Sequence, residues 1–180
     1  LNCILASMLK RSKYCCSFKL CVPDGDNRER LVCNVCGHIE YDNPKIVVGL
    51  VAIDNGRVLL CKRDINPQKG FWTLPAGFLE HGESPEEGAL REASEEANAI
   101  AKIETLLSIY SIPEIGLVQL FYRAKLLNKD VSAGEETQAV GLFSKDEIPW
   151  SSLAFPSVEW ALKHYQEIGS KKQFAPFTNP

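Results

Sequence analysis

The sequence predicts an α/β sandwich with a mixed sheet, preceded by a small cysteine-rich segment. Three observations predict this fold: runs rich in β-branched and aromatic residues at 45–64 and 103–127, a capped helical pattern between them, and a second helical pattern at 156–168. With 180 residues, 45% of them apolar, the chain supports one domain of ordinary size plus an appendage. A second full domain does not fit.

Residues 1–12 are expected to form an N-terminal arm. Residues 1–23 contain no acid and four basic residues: Lys10, Arg11, Lys13 and Lys19. This composition is typical of the end of an organellar transit peptide, and equally of an exposed arm. The apolar part comes first, which is the wrong order for a secretory signal. We therefore expect an intracellular, reducing compartment: the cytoplasm, or a plastid or other organelle if the arm is a transit peptide. No apolar run approaches the roughly 18 residues that span a bilayer, so no membrane partner is expected.

Residues 13–43 are interpreted as a zinc-ribbon-like segment. A C-x2-C pair at 33–36 has the tight-turn spacing of a zinc half-site. The other half is less regular: a C-x4-C pair at 16–21 is preferred, with Cys15 as the alternative first member and free thiols as the alternative to zinc. The predicted structural Zn²⁺ ligands are Cys16, Cys21, Cys33 and Cys36. Such an ion would supply folding energy that a short polar segment lacks.

The larger domain is predicted to span residues 44–168. A hairpin is expected across Asn55-Gly56, a dipeptide that fits a tight turn between two apolar runs. The predicted elements are, in order, strands at 45–54, 57–64, 103–112 and 117–127, a polar loop at 128–138, a short strand around 140–143, and a helix at 156–168. Residues 169–180 are expected to be a polar tail with little to pack.

The central helix is predicted to begin at Pro85. Ser84 can serve as its N-cap, proline fits the first helical position, and Glu87 completes a capping box. At about 100° per residue, three carboxylates then share one helix face. These are Glu92, Glu95 and Glu96. Carboxylates crowded on one face repel one another unless a cation neutralises them, and hard oxygen ligands suit Mg²⁺ or Mn²⁺. The alternative is a solvated acidic helix.

The spacing of this segment resembles the Nudix box, the signature of pyrophosphatases that cleave a nucleoside diphosphate linked to another moiety. The matching residues are Gly77, Glu83, Arg91, Glu92, Glu95 and Glu96. Asn98 stands where the family has glycine, and Ala93 and Ala99 stand where aliphatic residues are usual. Asparagine tolerates the left-handed conformation, so we expect the helix C-cap to survive. The resemblance implies a Nudix α/β/α sandwich with a mixed sheet.

The resemblance also implies roles in the chemistry. Glu83 is expected to orient Arg91, and the three helix carboxylates to hold the metal. A general base is expected at Glu95, or at Glu136 on the late loop, where related FAD and ADP-ribose pyrophosphatases place an extra acid. Ala139 occupies the place of a second acid in those relatives, which weakens the case for Glu136, and a solvated loop is the alternative there.

Substrate contacts are expected at three further positions. The backbone carbonyl near Gly77 is implied to face the metal, and Arg63 lies in a Lys-Arg pair that agrees with the zinc-ribbon group of the family. Trp72 can stack a flavin or adenine ring. The same holds for Phe71, Tyr110 and Phe121, although apolar strand patterns favour core packing for most of these aromatic residues. His38 and His81 are expected to face solvent.

The cysteine-rich segment joined to residues 43–49 resembles the zinc-ribbon Nudix group, which includes FAD and ADP-ribose diphosphatases. That resemblance runs from about Tyr14 to His164. It implies Mg²⁺- or Mn²⁺-dependent hydrolysis of a small dinucleotide or nucleotide sugar, FAD or ADP-ribose, with release of AMP. NADH pyrophosphatases carry a SQPWPFP-type signature downstream of the box, where this chain reads SIYSIPEIGLVQLF, which argues against NADH.

Two alternative functions are considered. One is a ribbon-based module that binds nucleic acid or protein, with a Nudix domain kept as a ligand sensor; the other is sanitation of damaged nucleoside triphosphates. Nudix domains that serve as ligand sensors usually lose the glutamates of the box. This chain retains them, so an enzyme is favoured. The net charge of −3 gives no general reason to expect nucleic-acid binding. The sequence leaves three points open: the choice between FAD and ADP-ribose, the number of metal ions, and whether the protein forms a homodimer.

Overall fold

The computed structural model describes residues 17–169, 171 and 173–180. The chain divides into two compact units, residues 1–43 and 44–180. Within the described ranges, no helix is both long and apolar enough to cross a membrane. The predicted arm at residues 1–12, together with Cys15 and Cys16, lies outside the described residues.

The smaller unit contains an antiparallel sheet with the strand order β1-β2-β3. Its strands are Phe18–Cys21 (β1), Arg30–Cys33 (β2) and Ile39–Glu40 (β3). Asp26 stabilises the β1–β2 turn, because its Oδ1 accepts the N–H of Asn27 at 2.7 Å and its Oδ2 pairs with Arg30 Nε at 3.1 Å. In the β2–β3 turn, Gly37 N–H donates to the Cys33 carbonyl at 2.9 Å.

Seven strands form the predicted mixed sheet of the larger unit. Five follow the order β10-β5-β4-β9-β8, while β6 pairs with β5 and β7 pairs with β4. The β4–β9 pairing is parallel and the others are antiparallel. The strands are Lys45–Asp54 (β4), Arg57–Arg63 (β5), Trp72–Thr73 (β6), Ala76–Phe78 (β7), Ala101–Ile112 (β8), Leu117–Leu126 (β9) and Thr137–Phe143 (β10). Short 3₁₀ helices occur at Pro113–Ile115 and Trp150–Ser152.

Two α-helices complete the predicted sandwich. They are Pro85–Ala97 (α1) and Pro156–Ile168 (α2). Successive strand residues point to opposite faces. Leu50 and Leu59 therefore lie in the core that includes the buried alanines of α1, whereas Val51 and Leu60 lie in the core that includes Leu162 of α2. Each helix thus covers one face of the sheet.

Strands β4 and β5 pair only beside their turn and then separate. The predicted Asn55-Gly56 turn has φ values of 48° and 79°, as a tight two-residue hairpin turn requires. Only two pairs join the strands there, Ile53–Val58 and Asp54–Arg57. Farther along, β7 pairs with β4 and β6 pairs with β5. Gly49 permits this arrangement, since a Cβ there would lie 2.5 Å from the Cβ of Ala76. The split brings β7 into contact with α1.

Strand β10 is longer than the predicted strand around 140–143. Thr137 already pairs with Arg63, and the register then shifts at Gln138 before Ala139 pairs with Lys62. Such a shift is a β-bulge, which interrupts the alternation of apolar and polar residues on an edge strand. The first residues of β10 therefore looked like part of the polar loop.

The prediction of a C-terminal tail with little to pack is wrong. Phe177 pairs with β8, because its N–H donates to the Leu107 carbonyl and its own carbonyl accepts the Ile109 N–H, both at 2.9 Å. The Asn179 side chain also exchanges two hydrogen bonds with the backbone of Ser111. The sequence pattern missed this contact because single aromatic residues in a polar segment show no periodicity.

Candidate active site

The acidic helix α1 is held at both ends as predicted. Ser84 Oγ accepts the N–H of Glu87 at 3.2 Å, and the Glu87 carboxylate accepts the Ser84 N–H at 2.8 Å, which completes the capping box. At the other end, Asn98 adopts a left-handed conformation with φ of 47°. The C-cap therefore survives the replacement of glycine by asparagine.

Arg91 is the centre of a hydrogen-bond network on one side of α1. Its Nε and Nη2 donate to the two oxygens of Glu83 at 2.9 and 2.7 Å, which is the predicted pair. Its Nη1 donates to Glu92 at 2.7 Å and to Glu95 at 3.0 Å, and Nη2 also donates to the Phe78 carbonyl at 3.0 Å. The hydrogen bonds from Arg91 lower the pKa of Glu83 to about 2. Glu92 and Glu95 thus face the same guanidinium.

Glu92 and Glu96 lie on the inner side of this network, next to β7. Glu96 is buried and accepts the Ala76 N–H at 3.1 Å. Burial raises the pKa of Glu96 to about 8, and burial also raises the pKa of Glu92, against the opposing effect of Arg91. Gly77 makes room for Glu92, because a Cβ at Gly77 would overlap that carboxylate.

The three helix carboxylates are the candidate ligands for a divalent cation. As they stand, no three His, Cys, Asp or Glu side chains in the described part of the chain surround a common metal position. Arg91 binds one oxygen of Glu92 and one of Glu95, and Ala76 binds one oxygen of Glu96. The second oxygen of each carboxylate remains without a hydrogen bond from the described residues. Burial raises the pKa of Glu92 and Glu96, and a bound cation would stabilise the charged forms of these two carboxylates. The Glu95 side chain is exposed, and the all-oxygen set of the three suits Mg²⁺ or Mn²⁺.

Glu136 and Arg63 also lie near the helix carboxylates. The charge of Glu136 contributes to the raised pKa of both Glu92 and Glu96, although less than burial does, whereas the charge of Arg63 lowers the pKa of Glu96. Arg63 Nε donates to the Pro67 carbonyl at 2.9 Å. The structure thus brings both predicted residues to the same end of α1 that carries Glu92 and Glu96.

Trp72 is placed differently from the prediction of a substrate contact. Its ring packs edge-on against Phe143, with ring centroids 4.9 Å apart, in the core on the α2 side of the sheet. The three helix carboxylates belong to α1, which covers the opposite face. Tyr110 and Phe121 are also buried in the α2-side core, whereas Phe71 is exposed. Trp72 is therefore assigned to core packing, because alternation along β6 directs it to the α2 side.

The cysteine prediction needs one correction. Cys21 pairs with Arg30, and Cys33 pairs with Phe18. These pairs lie three residues apart along the hairpin, or about 10 Å at roughly 3.3 Å per residue, so Cys21 cannot share a zinc ion with Cys33 in this register. Cys36 is exposed and lies in the turn that follows Cys33. Cys16 lies outside the described residues, so Cys33 and Cys36 are the two predicted ligands that the structure keeps near one turn.

Both unassigned histidines are exposed, as expected. His38 lies 3.5 Å from the exposed carboxylate of Glu40, and His81 lies in the loop that precedes α1.

Sequence reasoning missed the backbone partners of the site. The Ala76 N–H and the Phe78 carbonyl come from β7 and bind Glu96 and Arg91. Backbone groups have no residue signature, so only the pairing of β7 with β4 reveals them. Also missed was the docking of Gly134 against α1, where a Cβ would overlap the Glu95 carbonyl. A glycine inside an acidic loop was the one available signal.

The chain matches two protein-family models. The family model described as NUDIX domain matches residues 43–167, and a zinc-ribbon model described as Nudix N-terminal matches residues 13–42. The ADP-ribose pyrophosphatase of Methanocaldococcus jannaschii is 34% identical over 120 residues, which cover 64% of this chain and 69% of that protein. A MutT-like protein of Streptomyces ambofaciens is 34% identical over 102 residues, which cover 57% of this chain and 64% of that protein.

A solved structure shows the same architecture. The crystal structure of a NUDIX hydrolase from Nitrosomonas europaea matches with a TM-score of 0.87 and 43% sequence identity, over 94% of this chain and 97% of that one. The NUDIX domain model covers more than half of the chain. The chain therefore belongs to the Nudix hydrolase family, with the N-terminal zinc-ribbon segment that occurs in part of that family.

Proposed function

We propose that this Nudix hydrolase cleaves the pyrophosphate bond of ADP-ribose or FAD and releases AMP, with Mg²⁺ or Mn²⁺ bound to Glu92, Glu95 and Glu96. The observation that carries the proposal is the convergence of Glu92 and Glu95 on Arg91 beside the buried Glu96. The name of the Methanocaldococcus jannaschii relative, ADP-ribose pyrophosphatase, supports the substrate class.

In the proposed reaction, different residues of the chain have different roles. When bound, a divalent ion supplies charge neutralisation at the pyrophosphate oxygens and a water of lowered pKa. Arg91 keeps Glu92 and Glu95 oriented, since it binds both carboxylates while Glu83 holds its other edge. Arg63 contributes a cation on the β5 side, where we propose that it binds a phosphate oxygen.

Glu136 is the favoured general base. It makes no side-chain hydrogen bond within the described ranges, while the alternative, Glu95, already accepts a hydrogen bond from Arg91. Glu136 is also near enough to Glu92 and Glu96 for its charge to act on both. In this proposal the Glu136 carboxylate takes the proton of the water that attacks phosphorus.

Two product measurements, each made with Mg²⁺ and with Mn²⁺, test the proposal: release of AMP from FAD, ADP-ribose and NADH, and release of the corresponding monophosphate from a damaged nucleoside triphosphate. We expect turnover of FAD or ADP-ribose, and a loss of at least about 100-fold in kcat for Glu96→Gln, because the neutral amide is a poorer metal ligand. Glu159→Gln on α2, where the carboxylate pairs with Lys163 at 2.6 Å, is the matched control. Normal turnover by Glu96→Gln would contradict the proposal. Tight binding of ADP-ribose without any turnover would instead favour the ligand-sensor alternative.

A further inference from the structure

The loop that carries Glu136 is docked on the C-terminal end of α1. The last carbonyls of an α-helix have no partner inside the helix. Here the loop satisfies two of them, since Ser132 N–H donates to the Ala97 carbonyl and Gly134 N–H donates to the Glu96 carbonyl, both at 3.0 Å. Val131 also packs against the α1-side core. The loop and the helix end therefore form one hydrogen-bonded unit.

The side chain of Asn98 joins this loop to the helix. Its Nδ2 donates to the Ser132 carbonyl at 3.2 Å and to the Ser132 Oγ at 3.0 Å. The Asn98 carbonyl in turn accepts a hydrogen bond from Asn128 Nδ2 at 2.9 Å. Glycine, which stands at this position in the family's box, can adopt the same backbone conformation but makes no side-chain hydrogen bond. The asparagine thus adds a contact that the box does not provide by itself.

The docked loop determines where Glu136 lies. Thr137 N–H donates to the Gly134 carbonyl at 3.2 Å, so Glu136 is a central residue of a turn that starts at the docked Gly134. From the other side, Asp64 N–H donates to the Glu136 carbonyl at 2.8 Å. The backbone of Glu136 is therefore held between β5 and α1, next to Glu96.

We propose that Asn98 is a positioning residue for pyrophosphate hydrolysis, because by binding Ser132 it fixes the loop on α1 and thereby sets Glu136 beside Glu92 and Glu96. The proposal rests on the function proposed above, in which Glu136 is the base. A displacement of about 1 Å in a catalytic group can cost about 100-fold in rate. Asn98→Gly removes only part of the loop's anchoring, so we expect kcat to fall about tenfold with KM changed less than about twofold.

The test is a double-mutant cycle with Asn98→Gly and Glu136→Gln, with kcat measured on the full chain at saturating Mg²⁺. If Asn98 acts through Glu136, Asn98→Gly lowers kcat in the wild-type background and has no further effect in Glu136→Gln. Asn55→Gly is the matched control, because Asn55 is also left-handed, with φ of 48°, and lies in the hairpin turn. A second readout needs no metal or substrate: the Ser132 and Gly134 amides should exchange with deuterium faster in Asn98→Gly than in the wild type.

The outcomes separate this inference from the proposed function. Unchanged kcat in Asn98→Gly, or an equal loss in both backgrounds, would overturn the role of Asn98 and leave that of Glu136 intact. Normal kcat in Glu136→Gln alone would overturn both roles, while hydrolysis that depends on the α1 glutamates would stand.

Discussion

Arg91 is the residue on which the geometry of the site depends. Its guanidinium contacts Glu83, Glu92, Glu95 and the Phe78 carbonyl at the same time. A planar group with five N–H donors can make these contacts together, whereas a lysine ammonium has three donors on one nitrogen. The hydrogen bonds to Glu83 also raise the pKa of Arg91 further above its already high value, so this cation keeps its charge.

We therefore predict that Arg91→Lys lowers kcat by about 10- to 100-fold, because Glu92 and Glu95 lose their shared partner. Steady-state hydrolysis of ADP-ribose, followed as AMP release, measures the effect. Arg57→Lys is the matched control, since Arg57 pairs with Asp54 at the exposed hairpin end, at 3.4 Å. Equal activity of both variants would contradict the central role of Arg91.

The Glu83–Arg91 contact at the site could be predicted from the sequence, but the contacts of the Ala76 and Phe78 backbone could not. The Glu83–Arg91 pair is the one that the resemblance to the Nudix box implies. The Ala76 N–H and the Phe78 carbonyl depend on how β7 lies beside α1, which is a property of the folded chain. For Trp72 the residue type was misleading. Its indole ring could stack on a substrate ring, but it lies in the core on the α2 side of the sheet, away from the helix carboxylates.

Helix α1 is the element that the sequence describes most completely. Its capping box, proline and asparagine C-cap are local signals, so its bounds follow from a few neighbouring residues. Helix α2 also matches its predicted bounds, because its apolar residues recur at helical spacing. Strand β10 was predicted too short because its bulge breaks the alternation that identifies a strand. Elements defined by distant pairing are thus the ones that local patterns miss.

For helix α1 we predict that Ser84→Ala destabilises the protein by about 1 kcal/mol and lowers Tm by roughly 3 °C, because the hydroxyl that accepts the Glu87 N–H is lost while the backbone N–H of residue 84 remains. Thermal unfolding followed by circular dichroism measures the change. Ser94→Ala provides the comparison, since Ser94 is an exposed residue in the interior of α1 and alanine favours the helix there. A Tm for Ser84→Ala at or above that of Ser94→Ala would show that the box contributes little.

Across the whole larger unit, the C-terminal segment joins elements that are distant in the chain. Tyr110 of β8 lies 2.7 Å from Nδ1 of His164 in α2, and the His164 ring stacks on Phe177 with centroids 4.1 Å apart. Burial lowers the pKa of His164, with an opposing effect from Glu167, and burial raises the pKa of Tyr110 to about 12. The folded state therefore favours the unprotonated imidazole of His164.

The pH dependence of stability follows from this shift. The pKa of His164 is lower in the folded than in the unfolded chain. Its contribution to the free energy of unfolding is therefore complete above the ordinary histidine pKa of about 6.5, and it is lost as the pH falls below that value. We expect the free energy of unfolding to decrease more steeply below about pH 6.5 in the wild type than in His164→Gln. Denaturant titrations at several pH values measure both slopes, and parallel slopes would contradict this linkage.

The pairing of Phe177 with β8 has a further consequence for solubility. Strand β8 is the last strand of its sheet, and an open strand at that position offers unpaired N–H and C=O groups to other molecules. The segment around Phe177 occupies part of this row in the native state. Proteolytic removal of residues 173–180 would therefore expose the unpaired N–H and C=O groups of β8. Intermolecular β-aggregation would then compete with refolding.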